Sequence, residues 1–290
     1  EYNNINSIKE KIDKLRTQTN QSDIYGIVLE PFNASSMRNC SKEFLLELRL
    51  LCDKEKIILI FDEVYTGWGR MGYLFYFMKY ENLLPDILTY AKSFGGGKAS
   101  IAGYTAREEI YRTAYDNLND ATLHSTTYYG FGEECATAIE AINIIVEDNL
   151  IPKSKILGNK FEDGLKILHQ KYPKIINEIR GEGAQWGVIL NPGLIKSIFT
   201  MASKLIPGKF FKDKRFINKL ITASVINSLY EDHKILTFYG SNYDIPLILS
   251  FPLVAKEEEI KYALVSLDKT FSKGISKIVL SFIKSKFSKI

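Results

Sequence analysis

Cysteine is scarce in this 290-residue chain, and long apolar runs are missing from it. The three cysteines, Cys40, Cys52 and Cys135, show no CxxC spacing. A disulfide framework and a metal site are therefore not predicted, and buried free thiols in a reducing compartment are expected. No apolar run approaches the roughly 18 residues of a membrane-spanning helix, and the polar start has no signal-peptide core. These features favour a cytoplasmic protein.

The sequence also lacks a strong charge of one sign. Its 38 Lys+Arg are interleaved with 34 Asp+Glu, which leaves a net charge of +4. Such mixing is typical of a solvated surface and disfavours a nucleic-acid groove. The hydrophobic content of 46% is that of a globular protein with a packed core, and neither repeats nor low-complexity linkers are visible.

The first half of the chain has the pattern of alternating strands and helices. SIKEKIDKLRTQ (7–18) has helical spacing, and DIYGIVLEPF supplies a buried strand that ends near Glu30. SKEFLLELRLLCDKEK predicts an amphipathic helix capped by Ser41, and KIILIFDEV predicts a second buried strand. This βαβ signature favours a parallel sheet, whose ligands bind beyond the carboxyl ends of the strands. Asp62 and Glu63 therefore lie where a site is expected.

The second half has a different texture. PDILTYAKSFGGG predicts a short strand that runs into a glycine loop, and GEECATAIEAINIIVEDNL predicts a long helix. From about residue 151 short helices and strands alternate. We therefore predict an α/β domain at 1–150 and a smaller α+β domain at 151–290, which ends in an amphipathic tail helix.

The segment FDEVYTGWGRMG (61–72) admits two interpretations. Four apolar residues followed by Asp-Glu resemble the metal-and-water site of a P-loop NTPase, but that fold needs GxxxxGK[ST] upstream. The nearest string, GGGKAS (95–100), comes later, has Ala99 where Ser or Thr is needed and lacks the first glycine. The NTPase interpretation is therefore rejected.

The same segment, together with the residues after it, closely resembles the class III aminotransferases. Their pattern stands here as FDEVYTGWGRMG, PDI and AKSFGGG in the correct order, and Lys92 lies 30 residues after Asp62. LEPF (29–32), HSTTYYG (124–130), IRGEGAQWG (179–187) and SFPLVAKEEEI (250–260) extend the match over nearly the whole chain. The resemblance implies a fold-type I transferase dependent on pyridoxal 5'-phosphate (PLP), with a partial, mostly parallel large domain at 1–150 and a small C-terminal domain.

Two residues carry the implied chemistry. Lys92 resembles the lysine that forms a Schiff base with the cofactor, and we expect it to be partly buried because desolvation favours a neutral amine. The same amine can move a proton between the substrate carbon and the cofactor carbon. Asp62 matches the acid that faces the pyridine nitrogen and keeps it protonated, which makes the ring an electron sink.

The resemblance also assigns four neighbours of the cofactor. Val64 matches the residue that packs on the ring, and Tyr65 lies near the cofactor hydroxyl in relatives. Thr126 and Thr127 match a Ser/Thr-Thr pair that binds the cofactor phosphate of the neighbouring subunit, with hydroxyl and amide donors suited to phosphate. A homodimer with shared active sites is implied.

The family pattern fails at two positions that bind substrate. Relatives that act on α-amino acids grip the α-carboxylate with an arginine, which falls here at Ile248, and its glutamate partner falls at Ser35. We therefore expect an amine, aldehyde, ketone or carrier-bound substrate rather than an ordinary α-amino acid. Arg180 is a conceivable substitute, although its position is normally structural.

The upstream phosphate cup and stacking aromatic residue of the family are not found before residue 20. With the non-Met start, this predicts the C-terminal part of a longer or split protein. An aminomutase, a decarboxylase and a non-catalytic partner-binding fragment remain alternatives to an aminotransferase. The basic tail at 275–290 is expected to dock on the protein itself or on a following domain, with an anionic membrane as the alternative.

Overall fold

The computed structural model describes residues 2–16, 23–120, 127, 130–193, 215–240 and 243–287. The chain divides into two compact units. The first unit comprises residues 1–33 and 39–152, and the second comprises 34–38 and 153–290. The short segment 34–38 therefore belongs with the second half of the chain, although it follows the first strand in sequence. The sequence alone did not indicate this exchange.

The first unit begins with two helices that pack on each other, α1 (Ile5–Lys14) and α2 (Lys42–Glu55). The predicted cap of α2 is confirmed, because the Ser41 hydroxyl accepts a hydrogen bond from the Phe44 amide at 3.2 Å. The helix ends at Glu55, and its C-cap residue Lys56 adopts a left-handed conformation. Leucines spaced three residues apart put Leu45, Leu48 and Leu51 into the core of this unit.

A four-stranded sheet forms the centre of the first unit. Its strands are β1 (Gly26–Leu29), β4 (Ile58–Asp62), β5 (Ile87–Tyr90) and β6 (Gly103–Ala106), in that order across the sheet. β1 pairs with β4 and β4 with β5 in parallel, whereas β6 is antiparallel to β5. The predicted βαβ arrangement and mostly parallel sheet are confirmed, with an antiparallel strand at one edge.

The remaining elements of this half are short strands, turns and helices. Their bounds are β2 (Phe32–Asn33), β3 (Arg38–Asn39), α3 (Glu108–Tyr115), α4 (Gly132–Glu147) and the 3₁₀ turns Tyr76–Lys79, Lys92–Gly95 and Leu118–Asp120. α4 is the long helix predicted from its alanine and isoleucine pattern, and it packs against the turn that begins at Lys92.

The second unit is an antiparallel sheet covered by helices. The sheet has the order β7 (Ile176–Glu182), β8 (Gln185–Leu190), β10 (Leu247–Ser250) and β9 (Phe238–Tyr239). Its helices are α5 (Leu150–Lys171), which begins in the first unit, α6 (Phe216–His233), α7 (Glu257–Ser272) and α8 (Ile275–Phe287). One apolar cluster joins β8, β10 and these helices, so this half has a core of its own.

The tail helix α8 packs on the second unit through Ile275, Ile278 and Val279, which belong to that cluster. Docking on the protein itself is therefore the alternative that the structure supports for this helix. The last three residues of the predicted tail, 288–290, lie outside the described residues. Among the described helices, none has the length and apolar character that crossing a bilayer requires.

Candidate functional site

Asp62 and Lys92 lie at the same edge of the sheet. Asp62 is the last residue of β4, and its neighbour across the ladder to β5 is Thr89. Lys92 follows three residues after Thr89, just past the end of β5. Because β4 and β5 are parallel and adjacent, both residues emerge where their strands end, which is the position of ligand sites on such sheets. The Asp62 carboxylate accepts a hydrogen bond from the Val64 amide at 3.0 Å.

The expected partial burial of Lys92 is wrong, because its side chain is exposed. Lys92 opens the 3₁₀ turn Lys92–Gly95 with a left-handed backbone of φ 52°. Its Nζ lies 5.4 Å from the centroid of the Tyr65 ring, a cation–π contact. The residue is therefore placed at the sheet edge, with one aromatic face beneath its amine.

Val64 and Tyr65 follow Asp62 closely in sequence and are both half-buried. Burial raises the pKa of Tyr65 to about 12, although the Arg70 guanidinium opposes the shift. The phenol therefore stays protonated over the physiological range and can donate a hydrogen bond. Thr126 lies outside the described residues. Thr127 is an exposed turn residue, and its role toward a phosphate stays a prediction.

Glu63 was expected near the site from its position after the strand, but the sequence indicated no role for it. Its carboxylate is completely buried and accepts hydrogen bonds from the amides of Tyr76 at 2.5 Å and Phe77 at 2.8 Å. The Thr66 hydroxyl donates a third at 3.0 Å. Burial raises the pKa of Glu63 to about 7, although these three donors oppose the shift. Glu63 therefore ties both ends of the segment 64–77 to the end of β4.

That segment contributes two rings to an aromatic cluster, which we define as Trp68, Phe75, Tyr90 and Phe94. Trp68 stacks on Phe94 with a centroid distance of 5.0 Å and an interplanar angle of 15°. Its ring meets those of Phe75 and Tyr90 edge to face at 5.3 and 5.5 Å. The sequence reasoning missed this cluster, although the aromatic residue between two glycines in TGWGR is visible there. The cluster joins the segment after β4 to the turn that starts at Lys92.

Arg70 lies on the same segment. Its Nη2 donates a hydrogen bond to Ser93 Oγ at 3.2 Å, one residue beyond Lys92. Burial lowers the pKa of the Arg70 guanidinium. This hydrogen bond is a second contact, beside the aromatic cluster, between the segment 64–77 and the turn Lys92–Gly95.

The two positions at which the family pattern fails lie in the second unit. Ile248 is 2% exposed in the middle of β10, where it faces Gly187 of β8 and Phe238 of β9 across the ladders. Ser35 is half-buried in the segment 34–38. Neither side chain can form the bidentate pair that an arginine makes with a carboxylate.

Arg180 is committed to the structure of the second unit. Its guanidinium binds both carboxylate oxygens of Glu178, at 2.7 and 2.5 Å, and one oxygen of Asp244 at 2.7 Å. It also donates to the Ser36 carbonyl at 3.2 Å. Burial lowers the pKa of Arg180, but these carboxylates more than offset that effect and the net pKa is raised. We therefore infer a structural role, and Arg180 is a poor substitute for the missing arginine.

The family model for "Aminotransferase class-III" matches residues 1–220, which is more than half of the chain. Solved structures agree with it in fold. A transaminase from the marine bacterium Virgibacillus superposes with a TM-score of 0.77 at 22% identity, over 97% of this chain and 59% of that one. Ornithine aminotransferase from Plasmodium yoelii gives 0.72 at 21%, over 93% and 61%. Acetylornithine aminotransferase from Elizabethkingia anophelis gives 0.73 at 23%, over 94% and 59%.

The fold is that of a fold-type I transferase, as predicted. The chain belongs to the class III aminotransferase family. It spans about 60% of the length of the solved structures named above.

The described residues at the sheet edge suit the cofactor of this family in part. A primary amine, Lys92, and a carboxylate, Asp62, stand at the ends of adjacent strands, which is the donor set that an aromatic aldehyde with a ring nitrogen requires. Val64 and Tyr65 lie just beyond that carboxylate in the chain. The chemistry of the donor set therefore fits PLP.

Proposed function

We propose that the protein is a PLP-dependent aminotransferase in which Lys92 holds the cofactor and Asp62 faces its ring nitrogen. The observation that carries this proposal is the register of β4 and β5, which sets Asp62 opposite Thr89 and brings Lys92 to the same edge. Family membership supports the activity. The assignment of residues 1–150 as the cofactor-binding domain and 151–290 as the small domain is part of the proposal.

The chain's own residues have distinct tasks. When bound, PLP supplies an aldehyde carbon that carries nitrogen between substrates and a ring that accepts the electron pair of the broken C–H bond. The Asp62 carboxylate would hold a proton on the ring nitrogen by charge attraction. Val64 would pack on the ring, and the Tyr65 phenol would donate to the ring hydroxyl. The Lys92 amine would move the proton that leaves the substrate carbon.

The proposed substrate is an amine, aldehyde, ketone or carrier-bound acyl group. Ile248 is buried in a β-strand, and Arg180 is bound by two carboxylates, so neither offers a cation to an α-carboxylate. An α-amino acid therefore lacks the bidentate pair that fixes it in relatives. A kinetic screen of donors checks this. A preference for glutamate and 2-oxoglutarate would contradict the substrate proposal.

A homodimer with shared sites is also proposed, with Thr126 and Thr127 binding the phosphate held in the partner subunit. Apolar side chains on α4 support a contact surface there, since Ile139 and Val146 are 60% and 62% exposed. The helix α3 likewise has no buried residue within this chain.

The test uses PLP and the whole protein. The Lys92 nitrogen condenses with the cofactor aldehyde, a C=N bond forms and the carbonyl oxygen leaves as water. Borohydride then reduces the C=N bond, and peptide mass locates the label. We expect labelling at Lys92, lost in Lys92→Ala and kept in the matched control Lys98→Ala, an exposed lysine of the same loop. A folded wild-type protein without label at Lys92 would overturn the proposal.

The exposure of Lys92 favours a second candidate, a non-catalytic partner-binding fragment. Absence of labelling together with retained folding would support it. Labelling without amino transfer to any acceptor would instead favour an aminomutase or a decarboxylase, which product analysis distinguishes by an isomerised amine or released carbon dioxide.

A further inference from the structure

The turn that presents Lys92 is not a self-supporting element. It is a four-residue 3₁₀ helix, Lys92–Gly95, and such short helices have poor hydrogen-bond geometry. Its first residue has φ 52°, a region that is strained for a residue with a side chain. Contacts from outside the turn must therefore hold Lys92 in this conformation.

One of those contacts is the stack of Trp68 on Phe94, the third residue of the turn. Tyr90, which ends β5 just before the turn, meets both rings at 5.5 and 5.0 Å. The Phe94 ring therefore packs against Tyr90, at the end of β5, and against Trp68, in the segment 64–77. Displacement of Phe94 would release the backbone at Lys92.

Trp68 is itself fixed in space. It has a left-handed backbone of φ 60°, and its amide donates to the Leu74 carbonyl at 2.6 Å. Glu63 holds the far end of the same segment through the amides of Tyr76 and Phe77. Two non-glycine residues in the left-handed region, Trp68 and Lys92, are therefore coupled through one ring stack. Backbone strain of this kind is found mainly at functional sites, where the surrounding structure holds the strained conformation in place.

We propose that Trp68 is a positioning residue that orients Lys92 by stacking on Phe94. The inference rests on the proposed function of Lys92 as the cofactor lysine. The indole Nε1 is buried and has no hydrogen-bond partner within the described residues, so the task of this side chain is the ring contact. Trp68→Phe keeps a ring to stack, whereas Trp68→Ala removes the stack and both edge contacts.

The test measures the position of the Lys92 side chain in protein to which no PLP is added. The protein is reductively methylated with ¹³C-formaldehyde, and the Lys92 methyl signal is assigned by its loss in Lys92→Arg. Because Nζ lies above the Tyr65 ring, ring current displaces this signal from those of solvated lysines. We expect the displacement to vanish in Trp68→Ala and to be kept in Trp68→Phe. It should also be kept in the matched control Tyr80→Ala, a half-buried aromatic whose ring contact is with Tyr76.

Phe94→Leu removes the same stack from the other side and keeps the test valid if Trp68→Ala does not fold. The double variant should show the same loss of displacement as either single variant, because each single variant already breaks the Trp68–Phe94 stack. A Lys92 signal that stays displaced in Trp68→Ala or in Phe94→Leu would overturn the proposal.

Capture of PLP at Lys92 gives the second readout. We expect the rate to fall about tenfold in Trp68→Ala, which corresponds to a stack of ordinary strength plus lost edge contacts. Labelling of Lys98 in the same sample should not change. A wild-type protein that fails to capture PLP while the methyl signal responds to Trp68→Ala would contradict the proposed function and leave the positioning role standing.

Discussion

The buried acid Glu63 gives the protein a pH-dependent stability whose sign is unusual for a carboxylate. Its pKa rises from 4.5 to about 7 on folding, so the folded chain binds the proton more tightly than the unfolded chain. The resulting stabilisation is complete below pH 4.5 and is lost as the pH rises through 7. At 1.36 kcal/mol per pKa unit it amounts to about 3 kcal/mol, of which about 2 kcal/mol falls between about pH 5 and pH 8.

Glu63→Gln removes this titration. The glutamine amide turns an N–H group toward one of the donors from Tyr76 or Phe77, which costs about 1–2 kcal/mol. At pH 5 the variant is therefore expected to be less stable than the wild type. From pH 5 to pH 8 the free energy of unfolding of the wild type should fall by about 2 kcal/mol relative to that of the variant. Only the wild type has a carboxyl group at position 63 that loses its proton over this range.

Urea unfolding at the two pH values measures the effect. A Trp186→Phe background leaves Trp68 as the fluorophore of the first unit, so its transition is followed separately from that of the second unit. Glu47→Gln, at an exposed position of α2, is the control and should show no such pH dependence. A difference between wild type and Glu63→Gln that is constant from pH 5 to pH 8 would refute the burial argument.

Three further predictions concern individual side-chain contacts and the shared site. Asp86→Ala removes the partner of the buried Arg49 (2.9 Å) and the acceptor of the Leu59 amide (2.7 Å), and is expected to cost about 3 kcal/mol in urea unfolding; a cost below about 1 kcal/mol would show that the pair is not needed. Gly103→Ala places a Cβ 2.7 Å from the Tyr90 ring, so thermal melting should show a loss of about 1–3 kcal/mol, and an unchanged melting temperature would mean that the ring moves freely. Mixing Lys92→Ala with the double variant Thr126→Ala/Thr127→Ala should restore about a quarter of the activity through mixed dimers with one intact site, whereas an inactive mixture that contains mixed dimers would contradict shared sites.

Much of the fold could be predicted from the sequence because its signals are local. Leucine spacing and Ser41 located α2, and the apolar run before Asp62 located β4. The alanine and isoleucine pattern located α4, although α1 begins and ends a few residues earlier than the pattern predicted. Periodicity and caps depend on neighbours within one or two turns, which a single sequence contains.

The misses concern contacts between distant segments. Lys92 was expected to be partly buried because desolvation favours a neutral amine, but the residue is exposed, with a φ of 52° and its amine over the ring of Tyr65. Glu63 has no local signature that separates it from Asp62, and the two glycines that flank Trp68 do not indicate which ring it contacts. Their roles depend on Phe77 and Phe94, which lie 14 and 26 residues away.

The left-handed backbone at position 92 has an evolutionary implication. Glycine adopts that conformation without strain, so Lys92→Gly would relieve a local penalty of about 1 kcal/mol while deleting the reactive amine. If selection acted on thermal stability alone, mutation would tend to replace this lysine. Its persistence in a lineage would then be a record of selection for chemistry.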